Sequence, residues 1–185
     1  MKARTIILLA VLSLQSAWIL ATTVNHERSL TQGRIVQLET RPVDPRDLLR
    51  GDYVILNYKI SDVPQSLFTT GTGEAATEGS TVYVALEQRG EFYEVAAAST
   101  QKMRPDANTV VLKGVVQRSW GVFPSNTVHI AYGLEQYFVH EGTGNVRGKF
   151  TVQAAVSESG RGQIKEVLVD GIPYREAARA NAVGK

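Results

Sequence analysis

Twenty consecutive residues, Thr5 to Val24, carry no charge, and Ile6, Ile7, Leu8, Leu9, Val11, Leu12, Leu14, Trp18, Ile19 and Leu20 make the run predominantly apolar. About 20 such residues in a helix match the hydrocarbon thickness of a bilayer. In lipid a lone segment can satisfy its own backbone only as a helix. Three fates compete for the run. A cleaved signal peptide needs small residues at both key positions before the cut, and the pairs Gln15/Ala17 and Ile19/Ala21 fit that badly. A soluble helix apolar on every side would need cover all round. The run is therefore read as an uncleaved signal anchor over residues 1–24. Lys2 and Arg4 precede it, and positive charge stays cytoplasmic, so Asn25, His26, Glu27 and all that follows are expected outside. Trp18, near the far end, suits the interface as an indole and serves equally well as apolar bulk.

A chain of 185 residues suits one domain plus an appendage. With 43% hydrophobic residues it can build a core. There is no cysteine, which excludes disulfides, thiolate metal sites and a cysteine nucleophile together. Of 20 Lys and Arg, setting aside Lys2 and Arg4 leaves 18 against 18 Asp and Glu. The domain beyond the anchor is neutral, which argues against nucleic acid as a partner, because phosphate neutralisation dominates that affinity.

The remainder reads as short strands. Thr23 to Gln37 is ambiguous and is taken as a connecting segment that leads into a strand from Arg34 to Thr40. Two prolines and clustered charges over residues 41–52 mark an irregular turn. Asp52 to Ile60 alternates, with Tyr53, Ile55, Asn57 and Lys59 on one side and Val54, Leu56, Tyr58 and Ile60 on the other. That is a strand, and its apolar start on both faces predicts a central position covered on both sides. Residues 71–79 form a polar, glycine-rich loop. Thr81 to Gln88 and Glu91 to Ala98 make a hairpin across Arg89-Gly90. Further strands are expected at Val110 to Val116, Val128 to Leu134, Glu135 to Val139, Lys149 to Val156 and Gln163 to Val169, with a turn at Asp170-Gly171. The fold class is mainly β: a single N-terminal transmembrane helix, then a compact β-barrel or sandwich-like domain of about eight short strands. The domain is placed at residues 25–175, and a frayed helical tail at 176–185.

Gly51-Asp52-Tyr53-Val54-Ile55-Leu56-Asn57-Tyr58 fits a GDYxxLxY pattern at all five fixed positions. Around it stand Val43-Asp44-Pro45-Arg46-Asp47-Leu48-Leu49-Arg50, Glu135-Gln136-Tyr137-Phe138-Val139-His140-Glu141-Gly142-Thr143-Gly144 and Val169-Asp170-Gly171-Ile172-Pro173-Tyr174. Together these resemble the GDYXXLXY family of bacterial membrane-anchored proteins over nearly the whole chain. His140 departs from the proline expected there. The resemblance implies an inner (plasma) membrane protein with a single span and a periplasmic, extracytoplasmic C-terminal domain. It also implies a polytopic membrane protein as partner, and it carries no known biochemical activity. Its signature residues are Asp44, Pro45, Arg46, Asp47, Gly51, Asp52, Tyr53, Leu56, Tyr58, Glu135, Tyr137, Glu141 and Gly142.

Pro45 to Val54 is also similar, at the level of a segment, to the stretch that follows the nucleophile in type I signal peptidases. A serine–lysine mechanism needs a hydroxyl held against a neutral lysine. Lys113 could supply the lysine, but Arg41-Pro42-Val43-Asp44 holds no serine. A shared scaffold does not carry activity, so a membrane-tethered hydrolase, or a degenerate relative of one, is the alternative to a non-enzymatic binding or accessory subunit. Asp44, Asp47 and Asp52, interleaved with Arg46 and Arg50, have the chemistry for a cation or an acid–base pair; turn capping and local ion pairing account for them more simply. Glu135 and Glu141 flank an aromatic strand as rim residues. His26, His129 and His140 are too scattered for zinc. No catalytic residue, metal or cofactor is expected. Gly51-Asp52-Tyr53 is read as a structural device, with Gly51 allowing a backbone shape closed to other residues. Asp52 then accepts hydrogen bonds from main-chain N–H groups of the Val43 to Arg50 turn, or pairs with an arginine there.

Overall fold

A computed structural model describes residues 3–41, 53–69, 76–117, 126–139 and 146–183. Helix α1 spans Ala3–Gln32, and its stretch Ala3–Val24 is long and apolar enough to cross a membrane. None of that stretch's most apolar window is buried against the rest of the chain. The helix runs into the expected connecting segment as far as Gln32, one residue short of β1 (Arg34–Glu39). Gly33 stands between them, where the residue poorest in helix propensity after proline ends the run.

Ten further strands follow among the described residues: β2 (Tyr53–Ile55), β3 (Asp62–Pro64), β4 (Thr81–Arg89), β5 (Phe92–Ser99), β6 (Thr109–Gln117), β7 (Thr127–Ala131), β8 (Gln136–Phe138), β9 (Phe150–Val156), β10 (Gly162–Val169) and β11 (Ile172–Pro173). Helix α2 (Tyr174–Val183) comes last. The strands form three antiparallel sheets ordered β1-β9-β10-β11, β2-β8 and β3-β7-β6-β4-β5. No closed barrel is present among them, so the barrel alternative does not hold. The count exceeds eight because the chain breaks its long alternating stretches into two- and three-residue pairings.

Alternation decides what is buried. Val36 and Leu38 on β1, Val152 and Ala154 on β9, Val82, Val84 and Leu86 on β4, Leu112 on β6 and Ile130 on β7 are fully enclosed in one hydrophobic cluster shared by the sheets. The edge strands β1 and β5 lie near each other, and Gln37 Nε2 donates to Glu91 Oε1 at 2.8 Å at that edge. The backbone N–H of Lys113 donates to the Gly160 carbonyl at 2.7 Å and ties β6 to the β9–β10 turn. Arg34 anchors the start of β1: its guanidinium donates to the carbonyls of Asp106, Ala107 and Thr109 at 3.0–3.2 Å.

Turn chemistry is local and agrees with the sequence. At Asp170-Gly171 both residues have positive φ, 50° and 82°, as a two-residue hairpin turn with right-handed strand twist demands. The β4–β5 turn is shifted by one residue from its expected place: Arg89 pairs with Phe92, so Gly90 and Glu91 form the turn.

The Asp52–Ile60 strand is the main correction. Only Tyr53–Ile55 is a strand, and it pairs with β8 alone rather than lying at the centre of a large sheet. One face is buried, not two: Val54, Leu56, Tyr58 and Ile60 are at most 3% exposed, while Tyr53 and Ile55 are half-buried and Asn57 and Lys59 exposed. A 3-10 turn at Lys59–Ser61 then bends the chain into β3.

Candidate functional site around the signature strand

The signature strand changes partner as it runs. Tyr53, Val54 and Ile55 face Phe138, Tyr137 and Gln136. The Leu56 N–H donates to the Glu135 carbonyl at 2.8 Å. Beyond that the Asn57 carbonyl accepts from the Arg41 N–H at 2.7 Å, and Tyr58 bridges to Thr40. A segment that must satisfy its backbone groups inside the protein thus joins the 135–138 segment to the end of β1.

Two tyrosines fasten the crossing. The Tyr58 hydroxyl donates to the Leu134 carbonyl and the Tyr132 hydroxyl to the Ile60 carbonyl, each at 2.6 Å and buried. Burial, and then the Glu135 carboxylate, push both phenols well above their ordinary value. They are hydrogen-bond donors and not proton-transfer groups at neutral pH. Glu135 closes the turn between them: its Oε1 accepts from the Tyr132 N–H at 2.6 Å, across Gly133 with φ of 77°.

A second knot lies at Asp62, whose side chain is 7% exposed. Its Oδ2 pairs with the Arg41 guanidinium and its Oδ1 meets His129 Nδ1 at 2.6 Å. Asp62 and His129 are register partners across β3 and β7. Arg41 directly follows Thr40, which bridges to Tyr58, so the buried carboxylate helps hold the end of β1 beside the signature segment. Nearby, Glu39 pairs with Lys59 at 2.6 Å and Lys149 at 2.9 Å. Those two hydrogen bonds, Lys59 first, hold its carboxyl below the usual range.

The outer face is aromatic. The Tyr53 and Phe138 rings lie 6.2 Å apart, and Phe138 is 74% exposed. On the inner side Tyr137 meets Tyr174 edge-on at 5.8 Å, and Phe150 lies 6.3 Å from Tyr174. The Tyr174 hydroxyl is buried without a hydrogen-bond partner among the described residues. Burial, then Tyr137, raises its pKa.

Of the signature residues, Tyr53, Leu56, Tyr58, Glu135 and Tyr137 come together here. Asp44, Pro45, Arg46, Asp47, Gly51, Asp52, Glu141 and Gly142 lie outside the described residues, as does the segment compared with signal peptidases before Tyr53. Lys113 is on β6, half-buried. Among the described residues no three His, Asp or Glu side chains converge on a metal position. Asp62 and Tyr132 were not singled out from the sequence. For Asp62 the available signal was an acid directly after the buried Ile60-Ser61 pair; for Tyr132, a tyrosine three residues before Glu135.

No curated protein and no solved structure matches the chain. The model of the GDYXXLXY protein family matches residues 15–167. With the signature strand, its tyrosine crossing and most of α1 inside that match, the chain belongs to the GDYXXLXY family.

Proposed function

We propose that this protein is a single-span membrane protein whose domain over residues 25–175 sits outside the cytoplasm and serves as a non-enzymatic binding or accessory subunit of a polytopic membrane protein. The observation that carries the reading is the apolar stretch Ala3–Val24, which finds no cover in its own fold. An apolar helix without cover needs lipid or another protein around it. Lys2 and Arg4 before it favour an N-terminus inside. The exposed Phe138, its ring tilted against that of Tyr53 on the short β2–β8 sheet, supplies an aromatic contact of the kind enriched at protein interfaces.

Two measurements test the reading. A reporter active only outside the cytoplasm, fused after Lys185, is expected to be active; activity from a cytoplasmic reporter alone reverses the orientation. The full chain, purified in mild detergent, is expected to bring one multi-spanning protein with it in near-equal amount, and Phe138→Ser is expected to weaken that recovery. Recovery of the chain without a multi-spanning protein, under conditions that preserve known membrane complexes, overturns the accessory role.

A further inference from the structure

We infer that α1 is a docking surface for a second copy of this chain, with the two helices hydrogen-bonded to each other through Gln15. The inference rests on the anchoring reading above. The hydroxyls of Ser16, Thr22 and Thr23 donate to the carbonyls of Leu12, Ile19 and Ile19 at 2.8–2.9 Å, so the helix satisfies them itself. Thr5 at the end of the span and Ser13 on its other face make no side-chain hydrogen bond among the described residues, but a serine or threonine hydroxyl can turn back onto a carbonyl of its own helix, as the neighbouring ones do. The Gln15 carboxamide is exposed and has no hydrogen-bond partner among the described residues. It also lies within one residue of the midpoint of the uncharged Thr5–Val24 run, so about 14 Å of helix separates it from either end. That is too deep for a glutamine to reach the headgroups as a lysine or arginine near a helix end does. Hydrocarbon offers the amide nothing, and membrane helices meet that need by bonding across to a neighbour.

A second copy fits best because a carboxamide both donates and accepts. Each copy enters behind the same Lys2 and Arg4, so every Gln15 arrives at the same depth and orientation. Two parallel copies therefore satisfy both amides without requiring a matching polar residue from an unrelated helix. Leu8, Leu12, Gln15 and Ile19 follow at spacings of four, three and four. That alternation keeps one stripe turned toward a partner helix, and a single polar position within it sets the register. Ser13, Ala17 and Ala21 form a small-residue stripe on the opposite face.

The chain contains no cysteine, so single substitutions report the contact directly. Leu12→Cys and Ile19→Cys lie on the proposed seam, and Ser13→Cys and Ala17→Cys on the other face. The full chain is kept in native membranes and treated with a membrane-permeant oxidant. Disulfide-linked dimers are expected at Leu12→Cys and Ile19→Cys and not at the other two positions. Adding Gln15→Leu to Leu12→Cys is expected to lower dimer yield about threefold to tenfold, the loss that removing an interhelical hydrogen bond of a membrane pair corresponds to. Gln15→Asn should restore part of it. Cross-linking at Ser13→Cys and Ala17→Cys instead, a yield indifferent to Gln15→Leu, or an adduct of another mass each overturns the proposal. Extraction into alkaline carbonate is followed in parallel. A chain that stays in the membrane but cross-links nowhere defeats the pairing and leaves the anchor standing; a chain released by carbonate defeats the anchor itself.

Discussion

Tyr58 and Tyr132 reach past each other, each hydroxyl donating to a carbonyl on the other's segment: Tyr58 to Leu134 and Tyr132 to Ile60, both at 2.6 Å. This reciprocal pair explains why the signature pattern ends on a tyrosine. The position needs a large apolar body for the core and a donor at its tip for a carbonyl that water cannot reach.

Removing either hydroxyl leaves a buried carbonyl unpaired. Tyr58→Phe and Tyr132→Phe are each expected to cost about 1–3 kcal/mol. At roughly 2–4 °C per kcal/mol for a chain of this size, each should lower the melting temperature of the full chain in detergent by several degrees. The double variant is expected to lose less than the two single losses added together, because the bonds fasten the same crossing. Strict additivity in a denaturation series would show that the two bonds act independently.

Leu56 and Tyr53 should separate. Leu56 is 1% exposed within the core, whereas Tyr53 is half-buried on the outer face. Leu56→Ala is expected to cost about 2–5 kcal/mol through the cavity it leaves. Tyr53→Ala should cost clearly less and should instead weaken recovery of a membrane partner. Equal losses of stability in a thermal melt would mean that the outer face is as tightly packed as the inner.

Asp62 ties Arg41, β3 and β7 into one knot. Asp62→Ala is expected to destabilise by about 2–3 kcal/mol, the range for buried hydrogen bonds to a charged group. Arg41→Ala should cost about 1 kcal/mol or less, since the arginine side chain is 43% exposed and water screens its share. The order of the two losses in urea titration checks the assignment, and a larger loss for Arg41→Ala would contradict it.

Glu39 gives the domain a defined acid sensitivity. Lys59 and Lys149 hold its folded pKa below the ordinary 4.5, so the unfolded chain takes up the proton first. The stabilisation is complete above about pH 4.5 and is lost as pH falls through the lower, folded value. Glu39→Gln should therefore be less stable than the natural chain at neutral pH, and the gap should close in acid. A gap that stays constant from neutral pH down to strong acid would mean that the lysine pairs contribute nothing through ionisation.

The sequence by itself determined what local chemistry can encode. An uncharged run of this length can be little other than a helix, and α1 covers it. Asp170-Gly171 tolerates positive φ at both positions and turns there. Alternation sorted Val54, Leu56, Tyr58 and Ile60 onto one side of the signature segment, but it pointed to cover on both sides, and only that side is buried. The same alternation could not say which strand would lie beside it, because a period of two is satisfied by any neighbour. Tertiary structure made those choices: β1 pairs with β9 far along the chain, and the signature segment passes from β8 to the end of β1 within six residues, Tyr53 to Tyr58. Asp62 became a knot because closing the core brought Arg41 and His129 to its two oxygens. Pairing across such distances is settled by how the sheets can share one core, and that is a property of the assembled fold and of no single segment within it.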